Sequence, residues 1–560
     1  MLITEEQLKS LVLKTGLIDV KRLQEISDYA KNSNASLADT LVEKDIVSDE
    51  NLGIMISDFL KIPFVSLSKI SISEEVFHII PERIARKQKI IAFARDQNGI
   101  KVALNNPLNK EIQDMITKKT GSKVIPYFAT ERDIENTFHI YKKELQKNFD
   151  TLLQEEIDKS EHKTANAPIA KIVDMIIDYA YQDKASDIHL EPEDKSSLVR
   201  FRIDGILHDV LFLPKDLHDQ VVTRIKVLSR LRTDEHLSPQ DGKMRIKLDE
   251  EDLDIRVSIV PITEGEKVVM RLLSSKSRHF SLLDLGMNET DLKKITNAFN
   301  KSFGMILSTG PTGSGKTTSI YAILKILNTR EKNITTIEDP VEYRIKGVNQ
   351  IQVNAKANLT FANGLRSILR QDPNIVFVGE IRDNETAGIA VNAALTGHLV
   401  LSTLHTNDAA TALPRLTDMK VEPFLVASTV NVIVGQRLVR KICDMCKASF
   451  EIDQNELLKN LPPDVVKSNF GIKKDLRIYK GKGCKICHFT GYSGRIGVFE
   501  VLEVSKEIKK LITEKNDSDV ILRQAVLEGM TTMLDDGLQK VIKGMTTIEE
   551  VLRVTKVETL

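Results

Sequence analysis

The chain has 560 residues, enough for three or four domains at roughly 150 residues each. Lys+Arg and Asp+Glu stand at 79 apiece, so no overall charge draws it to nucleic acid or to an anionic lipid surface. Hydrophobic residues make up 41% and charged ones 28%, the balance of a soluble multidomain protein, and with no run of about 18 apolar residues and no apolar signal core near Met1 a cytoplasmic location is expected.

Residues 1–65 read as a helical module. Ile3-Thr4-Glu5-Glu6-Gln7-Leu8 and Ile46-Val47-Ser48-Asp49-Glu50-Asn51-Leu52 look like a degenerate repeat, each with a Thr or Ser N-cap before an acidic first turn. Residues 66–145 read as an α+β domain, with strands at Ile90–Phe93 and Ile100–Leu104 and a turn at Asn105-Asn106-Pro107. The polar stretch 146–166 reads as a linker.

A second α+β domain is expected at 167–275. It opens on a helix with Ile169, Ile172, Val173, Ile176 and Ile177 on one face. Its strands are expected at Asp187–Leu190, Leu198–Ile203, Ile206–Leu211, Lys243–Leu248, Leu253–Ile259 and Val268–Leu273, with a basic amphipathic helix near Val221–Leu231. It is rich in arginine (Arg200, Arg202, Arg224, Arg230, Arg232, Arg245, Arg256 and Arg271), and composition does not choose among them. Residues 276–285 read as a connector.

From residue 286 to 560 strand and helix patterns alternate, the mark of an α/β domain with a parallel sheet. Its strands are expected at Met305–Ser308, Ile334–Ile337, Ile375–Val378 and Leu399–Leu404. Between the first strand and a helical pattern (Ile320, Ile323, Leu324, Leu327) lies Gly310-Pro311-Thr312-Gly313-Ser314-Gly315-Lys316-Thr317-Thr318, a phosphate-binding loop of a nucleotide triphosphatase. Its glycines let backbone N–H groups close on phosphate, Lys316 neutralises β/γ charge and the Thr317 hydroxyl suits Mg²⁺.

Ligands in such sheets bind beyond the carboxyl ends of the strands, where three further clusters fall. Thr335-Thr336-Ile337-Glu338-Asp339-Pro340-Val341-Glu342-Tyr343 brings carboxylates that could hold metal, position water or pair with arginines. Asn374 to Asp383 is a Walker B type strand with Glu380 at its tip. His398 and His405 bracket the strand Leu399–Leu404, so they need not share an end.

The four cysteines, Cys443, Cys446, Cys484 and Cys487, form two C-x-x-C pairs with 37 residues between them. In a reducing compartment paired thiolates suit tetrahedral Zn²⁺, though this spacing exceeds that of common zinc ribbons. The segment from Ile508 onward reads as mostly helical.

Together these motifs resemble the type IV pilus assembly and type II secretion ATPase family. The loop matches its GPTGSGKTT, Thr336–Glu342 its Asp box, Gly379-Glu380-Ile381-Arg382-Asp383 its Walker B, and Thr396-Gly397-His398 through Asn407 its His box. Ala185–Pro192, Arg200–Gly205, Pro239–Gly242, Arg256-Val257-Ser258, the tetracysteine segment 443–487 and Gly494–Glu500 fit as well. The resemblance implies a RecA-like ATPase domain with a zinc insertion, preceded by a PAS-like α+β domain and an N-terminal module. It implies a homohexamer with ATP sites at domain and subunit boundaries. The same resemblance places arginine fingers at Arg256 and Arg271, the Walker B carboxylate at Glu380, a water-orienting residue or base at Glu338 and a γ-phosphate sensor or domain bridge at His405.

The ring would work at the inner face of the cytoplasmic membrane, beneath an inner-membrane platform protein, powering pilus assembly. Retraction members lack the N-terminal region and the cysteines. The alternative within the family is type II secretion; a DNA translocase disagrees with the neutral charge, and a scaffold that only binds ATP disagrees with having both Lys316 and Glu380. Two departures stand out. The family's Asp-Gly-Arg reads Asp241-Gly242-Lys243 here, so Arg245 is expected to substitute. Ser36-Leu37-Ala38 stands where the cyclic di-GMP module opens its second repeat with Arg-Leu-Gly, and the first repeat is cut short near Leu2, so the fold is expected without that ligand.

Overall fold

The structure, a computed structural model, describes residues 3–16, 18–33, 36–43, 46–70, 72–138, 169–248, 252–273, 281–459, 461–471, 475–484 and 487–555. The linker expected at 146–166 and the first half of the connector at 276–285 lie outside the described residues. The chain divides into two compact units, Met1–Ile72 with Phe93–Ile134 and His279–Leu560, and Ser73–Ala92 with Glu135–Arg278.

The N-terminal residues form helices Glu5–Lys14, Val20–Ser33, Leu37–Glu43 and Asp49–Leu60. Both repeat-like stretches start helices as expected. Thr4 closes a capping box with Gln7, and the Ser48 side chain accepts from the Asn51 N–H. Leu8, Val12, Leu23, Leu41, Leu52 and Ile56 close one core with Phe128. The two expected strands are present as β1 (Ile90–Asp96) and β2 (Gly99–Leu104), and β2 pairs in parallel with β3 (Val124–Phe128).

The second unit carries a six-stranded antiparallel sheet. Its strands are β4 (Asp187–Pro192), β5 (Ser196–Ile203), β6 (Ile206–Pro214), β7 (Gln240–Lys247), β8 (Asp252–Ile262) and β9 (Gly265–Leu273), in the order β6-β5-β4-β9-β8-β7. Alternate residues such as Ile255, Val257 and Ile259 pack under the helices Ile169–Gln182 and Lys215–Leu228. One face of the sheet is thereby covered, and the residues between them point to the other face.

The ATPase-like part holds a seven-stranded sheet of β10 (Gly304–Thr309), β11 (Ile334–Glu338), β12 (Asn349–Gln352), β13 (Ile375–Val378), β14 (Leu399–Leu404), β15 (Val430–Ile442) and β18 (Tyr492–Glu503). The order is β12-β11-β13-β14-β10-β15-β18, parallel throughout except for the antiparallel β15–β18 pair. The four expected strands occupy its centre, and β12, β15 and β18 extend it. Successive residues feed opposite cores: Met305 and Leu307 one, Ile306 the other; Val376 and Val378 one, Phe377 the other. Burial on both faces explains why these strands are continuous apolar runs. The hairpin β16 (Lys447–Asp453) and β17 (Asp475–Gly481) stands apart as a two-stranded sheet.

Candidate nucleotide site and metal centre

Parallel register aligns the functional segments. Thr309 pairs with Leu404, and Val378 with Ser402, so β10, β13 and β14 end together. Gly310, Glu380 and His405 therefore emerge at the same carboxyl edge, with Glu338 closing β11 beside them. His398 precedes β14 at the opposite edge, where its carbonyl accepts from the Gly304 N–H and its Nδ1 meets the Ala393 carbonyl at 3.0 Å.

The loop is braced from the adjoining strand. Gly310 sits at φ +143°, and a Cβ there would lie 2.4 Å from the Gln436 carbonyl oxygen, so a side chain has no room. Gln436 is buried in β15; its Nε2 donates to the Ser314 carbonyl at 2.8 Å, and its Oε1 accepts from the Ser308 hydroxyl at 3.3 Å. Sequence reasoning missed Gln436. A polar residue between the apolar stretches Val432–Val434 and Leu438–Val439 was its only signal.

Lys316 is buried, and its Nζ donates to the carbonyls of Gly310 at 2.7 Å and Pro311 at 3.0 Å. Burial lowers its pKa, and the nearby Glu380 charge opposes that shift. Gly315 caps the helix Lys316–Leu327 without a side chain on its first amides. The buried Ser314 hydroxyl has no hydrogen-bond partner among the described residues. These features fit a nucleotide's phosphates: a cradle that only glycine permits, a desolvated ammonium, an orphaned hydroxyl and a helix N-terminus. Thr317 is half-buried at the second position of that helix, where a hydroxyl suits magnesium.

The Glu380 carboxylate is held from two sides. Arg382 Nη2 lies 2.6 Å from Oε1, and His405 Nε2 lies 3.0 Å from Oε2. The strand end beneath is pinned by Thr403 Oγ1 donating to the Gly379 carbonyl at 2.7 Å.

Glu338 faces inward. Its carboxylate accepts from Tyr321 Oη, from Thr336 Oγ1 at 2.5 Å and from Gln350 Nε2 at 3.2 Å, and burial raises its pKa. Tyr321 lies on the helix that follows the phosphate loop, so the contact ties that helix to β11.

In the second unit the expected fingers are neighbours. Arg256 stands opposite Arg271, and Arg271 opposite Asp187. Arg245, expected to replace the missing arginine, is engaged bidentately by Asp254 at 2.6 and 3.1 Å. Lys243 instead stands opposite Arg256.

The cysteines converge. All four sulfurs lie within 4.8 Å of one another, with Cys443–Cys484 at 3.8 Å, Cys446–Cys487 at 3.9 Å and Cys484–Cys487 at 3.7 Å. A tetrahedron with arms of about 2.3 Å has edges of about 3.8 Å, so the donor set fits zinc. The long spacing is taken up by the β16–β17 hairpin: Lys447 pairs with Gly481, bringing the ends back together beside Cys446 and Cys484. The N–H groups of Cys484 and Gly491 point at the Cys487 sulfur at 3.2 and 3.3 Å, contacts that favour the thiolate a metal binds.

A family model described as "Type II/IV secretion system protein" matches residues 162–553, and one described as "MshEN domain" matches residues 60–146. The chain is 35% identical over 562 residues to the type IV pilus assembly ATPase PilB of Myxococcus xanthus, covering 98% of each. It is 46% identical over 394 residues to type II secretion system protein E of Pseudomonas aeruginosa, covering 70% of this chain and 76% of that one. The ATPase DotB of Legionella pneumophila matches in fold with a TM-score of 0.51 at 19% identity, over 70% of this chain and 97% of that one. The chain belongs to the type II/IV secretion system protein family.

Proposed function

We propose that the protein is a hexameric cytoplasmic motor ATPase that powers assembly of a type IV pilus through an inner-membrane platform protein. The observation that carries the ATPase reading is the shared carboxyl edge that sets Lys316 beside Glu380. The pilus reading rests on end-to-end likeness to a pilus assembly ATPase, at 98% of both chains. A second reading, assembly of a secretion pseudopilus, is favoured by the higher identity, 46%, to a type II secretion protein. Among the described residues no helix is long and apolar enough to cross a membrane, which agrees with attachment through a partner.

In this reading the loop amides and Lys316 bind the β- and γ-phosphates, and Lys316 exchanges its two carbonyl contacts for phosphate oxygens. Magnesium, held by Thr317, supplies a Lewis acid that neutralises phosphate charge. Glu380 orients the attacking water and takes its proton, steadied by His405 and Arg382. Glu338, expected from the family resemblance to orient water or act as base, has its oxygens committed to three donors, and in this reading it holds the loop helix against β11 while Glu380 takes the water. Arg256 and Arg271 offer positive charge to the γ-phosphate. Zinc, held by Cys443, Cys446, Cys484 and Cys487, supplies a closed cross-link and no chemistry.

The test compares wild type with Glu380→Gln, as purified full-length protein hydrolysing ATP and as a chromosomal replacement in cells. The reading expects loss of turnover and of surface filaments. Normal filaments on Glu380→Gln cells would sink it, and intact filaments with lost protein export would move the chain to the second reading.

A further inference from the structure

Five residues of the antiparallel sheet stand on one cross-strand rung: Arg202 on β5, Asp187 on β4, Arg271 on β9, Arg256 on β8 and Lys243 on β7. Residues directly opposite in antiparallel strands share a face and stand about 5 Å apart at Cβ. This is the face away from the helices, because Ile188, Phe201, Met270, Ile255 and Met244, the neighbours in sequence, lie in the covered core.

Four cationic residues therefore share the rung with Asp187. Asp187 is the one acid among them, and its side chain is 6% exposed. Its Oδ1 accepts from Arg271 Nε at 2.8 Å, and its Oδ2 accepts from the Ser186 hydroxyl at 2.8 Å and lies 3.5 Å from Arg202 Nε. The Arg271 contact uses the nitrogen nearest the chain, and the side chain as a whole is 61% exposed. Asp187 thus fixes one guanidinium nitrogen of a largely exposed arginine.

We infer that Asp187 is a positioning residue for this ATPase: it aims Arg271, with Arg202 on its other side, at a polyphosphate anion, and Lys243 completes the cationic rung in place of the absent arginine. This rests on the reading above that Arg271 serves the γ-phosphate. An arginine aimed in advance spends less freedom on reaching the phosphate, and small misplacements of such groups are costly in rate.

The experiment is steady-state ATP hydrolysis by the full-length protein over a range of ATP concentrations, for Asp187→Asn, Asp187→Glu, Arg271→Ala and the double variant Asp187→Asn with Arg271→Ala. Asp187→Asn should lower kcat about 10- to 100-fold with KM within about twofold, and Asp187→Glu should recover part of the loss. In the Arg271→Ala background Asp187→Asn should cost nothing further, because its effect passes through Arg271. Thermal unfolding of each variant separates this from a loss of fold, which would fall equally in both backgrounds. Wild-type kcat in Asp187→Asn beside a slow Arg271→Ala overturns the inference and leaves the finger reading standing. A further loss of the same size in the double variant also overturns it. Wild-type turnover in Arg271→Ala overturns the finger reading itself, and the inference with it.

Discussion

His405 Nε2 and Glu380 Oε2 meet at 3.0 Å across the ends of two neighbouring parallel strands. The pair exists because β13 and β14 stop in register, Val378 beside Ser402, so the next residues of both strands turn into the same space. Arg382 takes the other carboxylate oxygen. His405→Ala and Arg382→Ala each free one oxygen of Glu380, the carboxylate that the proposed mechanism sets against the attacking water. Each is expected to lower kcat about tenfold, less than the loss of about 100-fold or more from Glu380→Gln. Nucleotide binding measured by fluorescent ATP analogue should change little in all three.

Gln436 supports the phosphate loop from β15 and touches no phosphate in this account. Gln436→Leu leaves the Ser314 carbonyl and the Ser308 hydroxyl buried without that partner, a cost of about 1–3 kcal/mol. Part of that cost falls on the closed form of the loop. KM for ATP should rise about tenfold, the equivalent of 1.4 kcal/mol, as read from initial rates against ATP concentration.

Glu500 on β18 is buried, where its carboxylate accepts from Ala409 N at 2.6 Å and Met533 N at 3.4 Å. Burial outweighs these donors and pushes its pKa up from 4.5 to about 7. Folding thus favours the protonated carboxyl. Its stabilising contribution is full below pH 4.5 and is lost as the pH rises through about 7. Wild type should lose roughly 3 kcal/mol of stability across that window relative to Glu500→Gln, and the two should run parallel above it. Urea unfolding at closely spaced pH values reads the difference directly.

The β16–β17 hairpin brings the two cysteine pairs together, and the metal is expected to close it. Purified protein should contain one zinc per chain by elemental analysis. Cys443→Ser should lose it and lower the unfolding temperature by several degrees, with the loop's ATP affinity largely kept. Zinc well below one per chain, with unfolding indifferent to chelator, would contradict the assignment.

The central strands were legible in the sequence because a strand buried on both faces must be apolar without interruption, as Ile375–Val378 and Leu399–Leu404 are. The loop and its helix were legible because glycine, lysine and hydroxyl are fixed by phosphate chemistry. The strands β15 and β18 were not, since each carries a buried polar residue, Gln436 or Glu500, whose purpose lies in a distant segment. Those side chains break the apolar pattern locally and make sense only once Ser314 and Ala409 are beside them. The cysteine spacing looked too long for a zinc ribbon because a hairpin can hide any length of chain between its ends. Which of many arginines stand together was invisible for a similar reason. Register across β5, β4, β9, β8 and β7 decides it, and register is a property of pairing.

The central claim is that nucleotide bound beside Lys316 is cleaved with the help of Glu380. The most direct measurement is phosphate release by the full-length protein with ATP and magnesium, wild type against Lys316→Ala, at protein concentrations where rings form. The account predicts steady turnover in the wild type and a fall of about 100-fold or more in Lys316→Ala, with rings of wild-type fold. Equal phosphate release by the two proteins would contradict it.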